Sequence, residues 1–319
     1  AVGDFMAMKN IAGNLDEELD QYVDFLSEHE LDETKTFFQW LCSDHFSFLG
    51  YECFSVSGKG VKQQLIRDEG SVLGILKNKA GHKNKQLISD FPEAVQAMWD
   101  GKTLLSFSKS ATRSIVHRPA YPDYIALKRF DREGHVVGEH RFVGLYTSNV
   151  YTQSPRLIPV IRNKASSIIE RSGFDRRGHK GKDLAQIIQN FPRDYLFQCD
   201  EDELYQTTIG VFNIQERRQV RLFVNTEPFG KFISCLVYIP RERYNTETRN
   251  KIQDILCREL NAHDAEFNTF FSESVLARTH FILGVDPCKP AEFDQKELEE
   301  CVRNAIRTWD EDLVGALVD

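Results

Sequence analysis

Lys109, Arg113, His117 and Arg118, followed by Tyr121 and Tyr124, form the densest run of side chains in this chain that could do chemistry. Two guanidiniums at the spacing of Arg113 and Arg118 can grip a carboxylate from both sides, because the planar arginine fork matches the two carboxylate oxygens. The tyrosines would close the flanks of such a site. This pattern predicts recognition of an acidic small molecule rather than bond making. A simpler structural reading, in which these cations pair with acidic residues across a domain interface, is the better one. A second basic cluster, Arg217, Arg218 and Arg221, stands where a helix gives way to a strand. Positive charge there offsets the helix dipole, so structure alone accounts for it.

Other motifs argue against catalysis. A nicotinamide site needs a G-x-G-x-x-G turn between strand and helix, and the chain has none. Gly58-Lys59-Gly60 is a lone G-x-G in a polar loop. Gly178-His179-Lys180-Gly181-Lys182 looks like a phosphate loop, but Asp183 stands where the hydroxyl should be, so a solvated linker is the better reading. There is no G-x-S-x-G elbow and no H-E-x-x-H pair. His135 and His140 read as a surface pair across a hairpin. The seven cysteines are scattered and never spaced as C-x-x-C, which fits reduced thiols better than a disulfide framework or a zinc site. Cys235, inside FISCLVYI, reads as a small buried side chain. No catalytic residue, metal site or cofactor site is therefore assigned in this chain.

The elements that must position these groups follow from periodicity. Asn14 can cap a helix whose Leu15, Leu19, Tyr22, Val23 and Leu26 share a face, and a second helical stretch runs from Asp32 to Cys42. HFSFLGYECFSV alternates and reads as a strand. Residues 57 to 86 read as a long loop or hairpin. A short helix, PEAVQAMW, follows with Pro92 at its first position. Then LLSFSK, YIALKRFD and HVVGEHRFVGLYTS supply strands of one antiparallel sheet. A helical period covers Pro155 to Arg171, and LAQIIQN is a further helix. Beyond Phe191 the spacing predicts a strand at YLFQC and a helix over 201–215 capped by Asp200. Strands at QVRLFVNT and KFISCLVYI follow, joined by the turn Glu227-Pro228-Phe229-Gly230. A helix from Asn245, strands EFNTFFS and HFILGV, and a terminal helix at Gln295 to Trp309 complete the chain.

This order predicts an α+β protein. A helical segment (1–43) precedes an antiparallel sensor-like domain of GAF or PAS shape (44–154). A helical connector (155–190) then leads to an ACT-like, ferredoxin-like β-α-β-β-α-β domain with one strand added and a terminal helix (191–319). The 319 residues suffice for two cores, with 41% hydrophobic and 28% charged side chains. A net charge of −8 argues against nucleic acid, since phosphate contacts need a basic face. No run is long and apolar enough for a membrane span, so a cytoplasmic protein is expected.

Several passages in order resemble the N-terminal region of the large bacterial NAD-specific glutamate dehydrogenases. They are HFSFLGYECF, KSATRSIVHRPAYPDYIALKRFD, GEHRFVGLYTS, IPVIRNKASSIIERSGFD, GHKGKDL, FPRDYLFQ, ERRQVRLFV and FGKFISCLVYIPRERYNT. The resemblance covers about residues 36 to 285. It implies a homo-oligomeric parent enzyme that oxidises L-glutamate to 2-oxoglutarate and ammonia with NAD, through a catalytic region downstream of this segment. It also implies that the segment itself holds no NAD and is inactive, with ACT-like and sensor-like modules that regulate or assemble the enzyme. Two readings follow: an effector-binding regulatory module, with Lys109, Arg113, His117, Arg118 and Tyr121 as the effector residues, or a purely structural assembly module whose edge strand EFNTFFS pairs with another subunit. A free-standing hydrolase has no support in the residues.

Overall fold

The computed structural model describes residues 2–58, 60–78, 84–101, 103–110, 113–114, 120–214, 217–272 and 274–306. The chain divides into two compact units, Ala1–Gln198 and Cys199–Asp319.

The first unit opens with helices α1 (Phe5–Gly13), α2 (Asp16–Leu19) and α3 (Glu28–Trp40). Asn14 closes α1 rather than opening the next helix, and Ser27 is the N-cap of α3, its hydroxyl accepting from the Glu30 amide at 3.2 Å. The sheet then builds from β1 (Phe46–Ser57), β2 (Gln64–Arg67), β3 (Leu73–Gly74) and β4 (Lys85–Leu87). Helix α4 (Glu93–Asp100) and strands β5 (Leu105–Lys109), β6 (Asp123–Phe130) and β7 (Val136–Tyr146) follow. The main order is β4-β2-β1-β7-β6-β5, with β3 also paired to β1, and every pairing is antiparallel. The expected loop over 57–86 thus contributes three short strands. Helices α5 (Ser148–Thr152), α6 (Ile161–Arg171), α7 (His179–Asn190) and α8 (Arg193–Gln198) complete the unit.

The β1–β7 pairing carries a bulge at Leu49, where Phe48 sits opposite Gly144 but Gly50 opposite Val143. Side chains alternate along a strand, so the extra residue keeps Phe46, Phe48, Tyr51 and Cys53 on one face. That face meets the helices: Phe48 and Tyr51 touch Phe142, and Phe142 touches Phe38 of α3. Glu52 and Phe54 point to the other face, where Phe54 joins Leu65, Ile88 and Trp99 in a small core. Gly74 nests against the bulge at φ +66°, and a Cβ there would lie 2.0 Å from the Leu49 carbonyl oxygen.

YLFQC (195–199), expected to form a strand, falls instead mostly in helix α8, with Tyr195, Leu196 and Phe197 buried. Pro192 starts this helix, and its carbonyl accepts from the Leu196 amide at 3.1 Å. Lys164 then donates to the carbonyls of Leu196 and Phe197 at the other end.

The second unit runs α9 (Glu201–Ile214), β8 (Arg221–Thr226), β9 (Phe232–Pro240), α10 (Thr246–Glu259), β10 (Asp264–Phe271), β11 (Leu276–Gly284) and α11 (Gln295–Ala305). Without the expected first strand, the order is αββαββα rather than βαββαββα. The four strands form an antiparallel sheet in the order β10-β11-β9-β8. Asp200 caps α9 as expected, accepting from the Glu203 amide at 2.8 Å. The Glu203 side chain does not return to close the capping box but bonds Asn225 of β8. Cys235 is fully buried with Leu256, Phe281 and Val302.

Gly74→Ala should destabilise the first unit by about 2 kcal/mol or more, since a left-handed non-glycine residue and a backbone clash coincide. Urea unfolding checks this, and a loss under about 0.5 kcal/mol would mean the bulge does not depend on that glycine.

Candidate functional site

Lys109 ends β5 opposite Asp123 of β6, and the ladder register makes them partners. Its ammonium lies 2.8 Å from Asp123 Oδ1 and 3.2 Å from Asp194 Oδ2 of α8, with the lysine only 6% exposed. Burial would discharge the ammonium, but the two carboxylates outweigh it and hold the group firmly protonated. Asp194 also accepts from Tyr151 at 3.2 Å. Arg193 next to it donates to the carbonyls of Gln153, Gln189 and Phe191. The Pro-Arg-Asp sequence at 192–194 therefore fastens α8 to the sheet and to α5.

Arg113 is exposed, and its guanidinium lies 5.1 Å over the buried Tyr121 ring. His117 and Arg118 lie outside the described residues. Tyr124 points to a different cluster, beneath Arg141. Thus Arg113 and Tyr121 come together, while Lys109 is drawn into a buried ion triad.

Two clusters escaped the sequence reading, one on each face of the β1–β7 pair. On one face Glu52, fully buried, sits 3.0 Å from Arg67 Nε and 3.6 Å from Arg141 Nη1. Arg141 also pairs with Glu139 and lies over the Phe54 ring at 4.5 Å. On the opposite face Cys53 stands across from His140. His140 Nδ1 shares a hydrogen bond of 2.7 Å with Tyr51 Oη, and its Nε2 lies 2.8 Å from Glu18 Oε2 of α2. Arg129 donates to Cys53 Sγ at 3.3 Å and lies 3.4 Å from Glu18 Oε1. Tyr22 donates to Glu18 at 2.7 Å and accepts from the Phe130 amide at 3.2 Å.

His140 is 8% exposed, so the expected surface pair with His135 is overturned. His135 stays on the exposed turn with Asp131 and Glu133, where the three side chains offer ligand atoms within 4.8 Å of one another. That turn is held by its own Asx bonds from Asp131, which account for the grouping without an ion.

The remaining sequence candidates are structural. Arg218 pairs with Glu242 at 3.5 Å and Arg221 with Glu299 at 3.3 Å. The glycine-rich stretch at 178–182 is not a loop but the first turn of α7. A Cβ on Gly181 would lie 2.2 Å from the Asp175 carbonyl oxygen, so its glycine serves close packing.

Burial alone would lower His140, but hydrogen bonds to Cys53 and Glu18 and the Glu18 charge raise it to about 9 from 6.5. Glu18 moves the other way, burial being outweighed by His140, to about 2. Both shifts meet in the Glu18–His140 ion pair, to which the Cys53 contact adds. Its stability is present from above the ordinary Glu range up to about pH 6.5 and is lost as pH rises through about 9. Chemical unfolding from pH 6.5 to 9.5 should show a fall on the order of 2–3 kcal/mol that His140→Gln lacks. An equal fall in both proteins would place the titration elsewhere.

Comparison with known proteins gives these elements a context. Residues 221–310 match the family model described as "Glutamate dehydrogenase, ACT2 domain", and residues 158–217 match "Glutamate dehydrogenase, helical motif 1". The second match spans α6 to α9, in line with helix rather than strand at YLFQC. The NAD-specific glutamate dehydrogenase of Pseudomonas aeruginosa is 45% identical over 320 residues, covering 100% of this chain and 20% of that protein. That of Halomonas elongata is 42% identical over 323 residues, with the same coverage. The Mycobacterium tuberculosis enzyme is 30% identical over 292 residues, covering 87% of this chain and 17% of that protein. Among solved structures, the periplasmic sensory domain of the Campylobacter jejuni chemoreceptor Tlp1 aligns over 91% of each chain, but at 13% identity and a TM-score of 0.22 it carries no argument about fold. The chain spans about a fifth of the length of the first two relatives and belongs, as an N-terminal segment with helical motif 1 and the ACT2 domain, to the large NAD-specific glutamate dehydrogenases.

Proposed function

We propose that this chain is a non-catalytic regulatory and assembly segment of an enzyme that oxidises L-glutamate to 2-oxoglutarate and ammonia, with NAD bound and the chemistry done downstream. The observation that carries this reading is the match of the whole chain to a fifth of each of two NAD-specific glutamate dehydrogenases. The absence of a G-x-G-x-x-G turn in the sequence agrees with a cofactor held elsewhere. Among the described residues no helix is long and apolar enough to cross a membrane, which suits the cytoplasmic setting we infer.

Regulation requires an effector that binds two states of the enzyme unequally. We place its carboxylate at Arg113, against the Tyr121 ring, with His117 and Arg118 as further cations. Lys109 then acts behind the site by fixing the end of β5 rather than by touching ligand. The antiparallel sheet of the first unit suits a sensor-like reading, and the effector class we favour is an amino acid. A thermal-shift screen of this chain against the twenty amino acids, 2-oxoglutarate and NAD tests this. An amino acid should raise the melting temperature, and Arg113→Ala should weaken its binding about tenfold, as loss of a charge-assisted pair would. No shift with any amino acid at millimolar concentration would remove the effector reading.

Assembly is favoured by a separate observation. Strand β10 is an edge of its sheet and exposes Phe267, Phe270 and Phe271 at 43%, 39% and 45%. Unpaired backbone groups beside exposed aromatic rings form a template for another strand. An antiparallel copy centred on Thr269 would set Phe267 against Phe271 twice on one face. Phe267→Asp combined with Phe271→Asp should therefore reduce oligomer size in light scattering. An unchanged size would assign assembly to another surface.

A further inference from the structure

The Cys53 cluster has no part in the effector or assembly readings, yet it brings together groups that activate sulfur. Cys53 is 7% exposed and lies on the helix-facing side of β1. Three elements converge on it: Arg129 of β6 donates to Sγ at 3.3 Å, His140 of β7 is its register partner, and Glu18 of α2 orients the imidazole at 2.8 Å. Tyr51 of β1 meets the other imidazole nitrogen at 2.7 Å, and Tyr22 holds Glu18 at 2.7 Å. A buried thiol needs none of this for packing, and Cys235, fully buried among apolar side chains, shows the bland alternative.

We propose that Cys53 is a peroxide-reactive thiol, activated by Arg129 and by a His140–Glu18 pair. In the step, the Cys53 thiolate attacks one oxygen of a hydroperoxide. The S–O bond forms as the O–O bond breaks, so sulfur is oxidised by two electrons and the peroxide is reduced. The leaving hydroxide, or alkoxide, takes the proton of the His140 imidazolium, giving a sulfenic acid, water or alcohol, and neutral His140. A guanidinium and an imidazolium beside the sulfur favour the thiolate that this attack needs. Burial pushes the thiol up, but His140 and Arg129 outweigh it and leave the thiol below its ordinary range. The Arg129 side chain beside the sulfur is itself 33% exposed. Oxidation would remove one negative partner of Arg129 and His140 and leave them Glu18 of α2 as the other.

The test is competition inside one chain. Cys288 and Cys301 are exposed thiols. The folded 319-residue chain would be treated with hydrogen peroxide, sulfenic acids trapped with dimedone, and each cysteine followed by peptide mass spectrometry. Cys53 should be labelled at least about tenfold faster than Cys288 or Cys301, despite its burial, and the preference should vanish in urea. Arg129→Gln should reduce labelling of Cys53 alone, and Arg129→Lys should restore part of it. Should the glutamine variant fail to fold, the competition within the unaltered chain decides the matter. Labelling of Cys53 no faster than that of the exposed cysteines overturns the proposal.

Discussion

A single extra residue in β1 governs the first unit. In an antiparallel pair, side chains alternate, so strict pairing through Leu49 would send Tyr51 and Cys53 to the face opposite Phe46 and Phe48. The bulge at Leu49 resets the phase. Phe46, Phe48 and Tyr51 then share the helix side with Phe142, while Glu52 goes to the other side with Arg141. Without the bulge, a carboxylate with no exposure would face the aromatic helix layer, where a buried charge without a partner costs several kcal/mol, at least about 3. Gly74 accommodates the bulge from the neighbouring strand because only a residue without a Cβ fits against the Leu49 carbonyl.

The same strand pair therefore carries two charge networks that never touch, one on each face. Both obey one rule: a charge removed from water keeps its ionised form only beside an opposite charge or several hydrogen bonds. Lys109 repeats the rule at the end of β5, between Asp123 and Asp194. Ion pairs of this kind add little net stability against an apolar core, but they fix which partners meet. Here they tie α2 to β7 through Glu18 and His140, and α8 to β5 through Asp194 and Lys109. The second unit follows the ordinary route, with two helices covering one sheet face over an apolar core and an aromatic edge at β10.

Much of this order was legible in the residues. The long strands, the Asp200 cap and the burial of Cys235 all follow from local pattern, because alternation, capping and a run of apolar residues act over a few positions. The strand expected at YLFQC failed for a local reason overridden by a wider one. Tyr, Leu and Phe in succession suit a strand, but Pro192 starts a helix, and Arg193, Asp194 and Lys164 hold both its ends. The Lys109–Tyr124 run was seen as one cluster because its members are close in sequence. The fold sends Lys109 to two aspartates, one of them 85 positions away (194 − 109), and Tyr124 to the face of Arg141.

By itself, the sequence determined the composition of both units, the positions of most helices and strands, the lack of a dinucleotide turn and the family resemblance. These are properties of neighbouring residues, set by short-range sterics and hydrogen bonding. Only the tertiary structure decided which charges meet. Glu18 and His140 are separated by 122 positions, and nothing in either neighbourhood marks them as partners. Their meeting depends on strand register, on the phase set at Leu49 and on the packing of α2 against the sheet. Side chains far apart along a chain become neighbours only when the backbone between them has been folded into place.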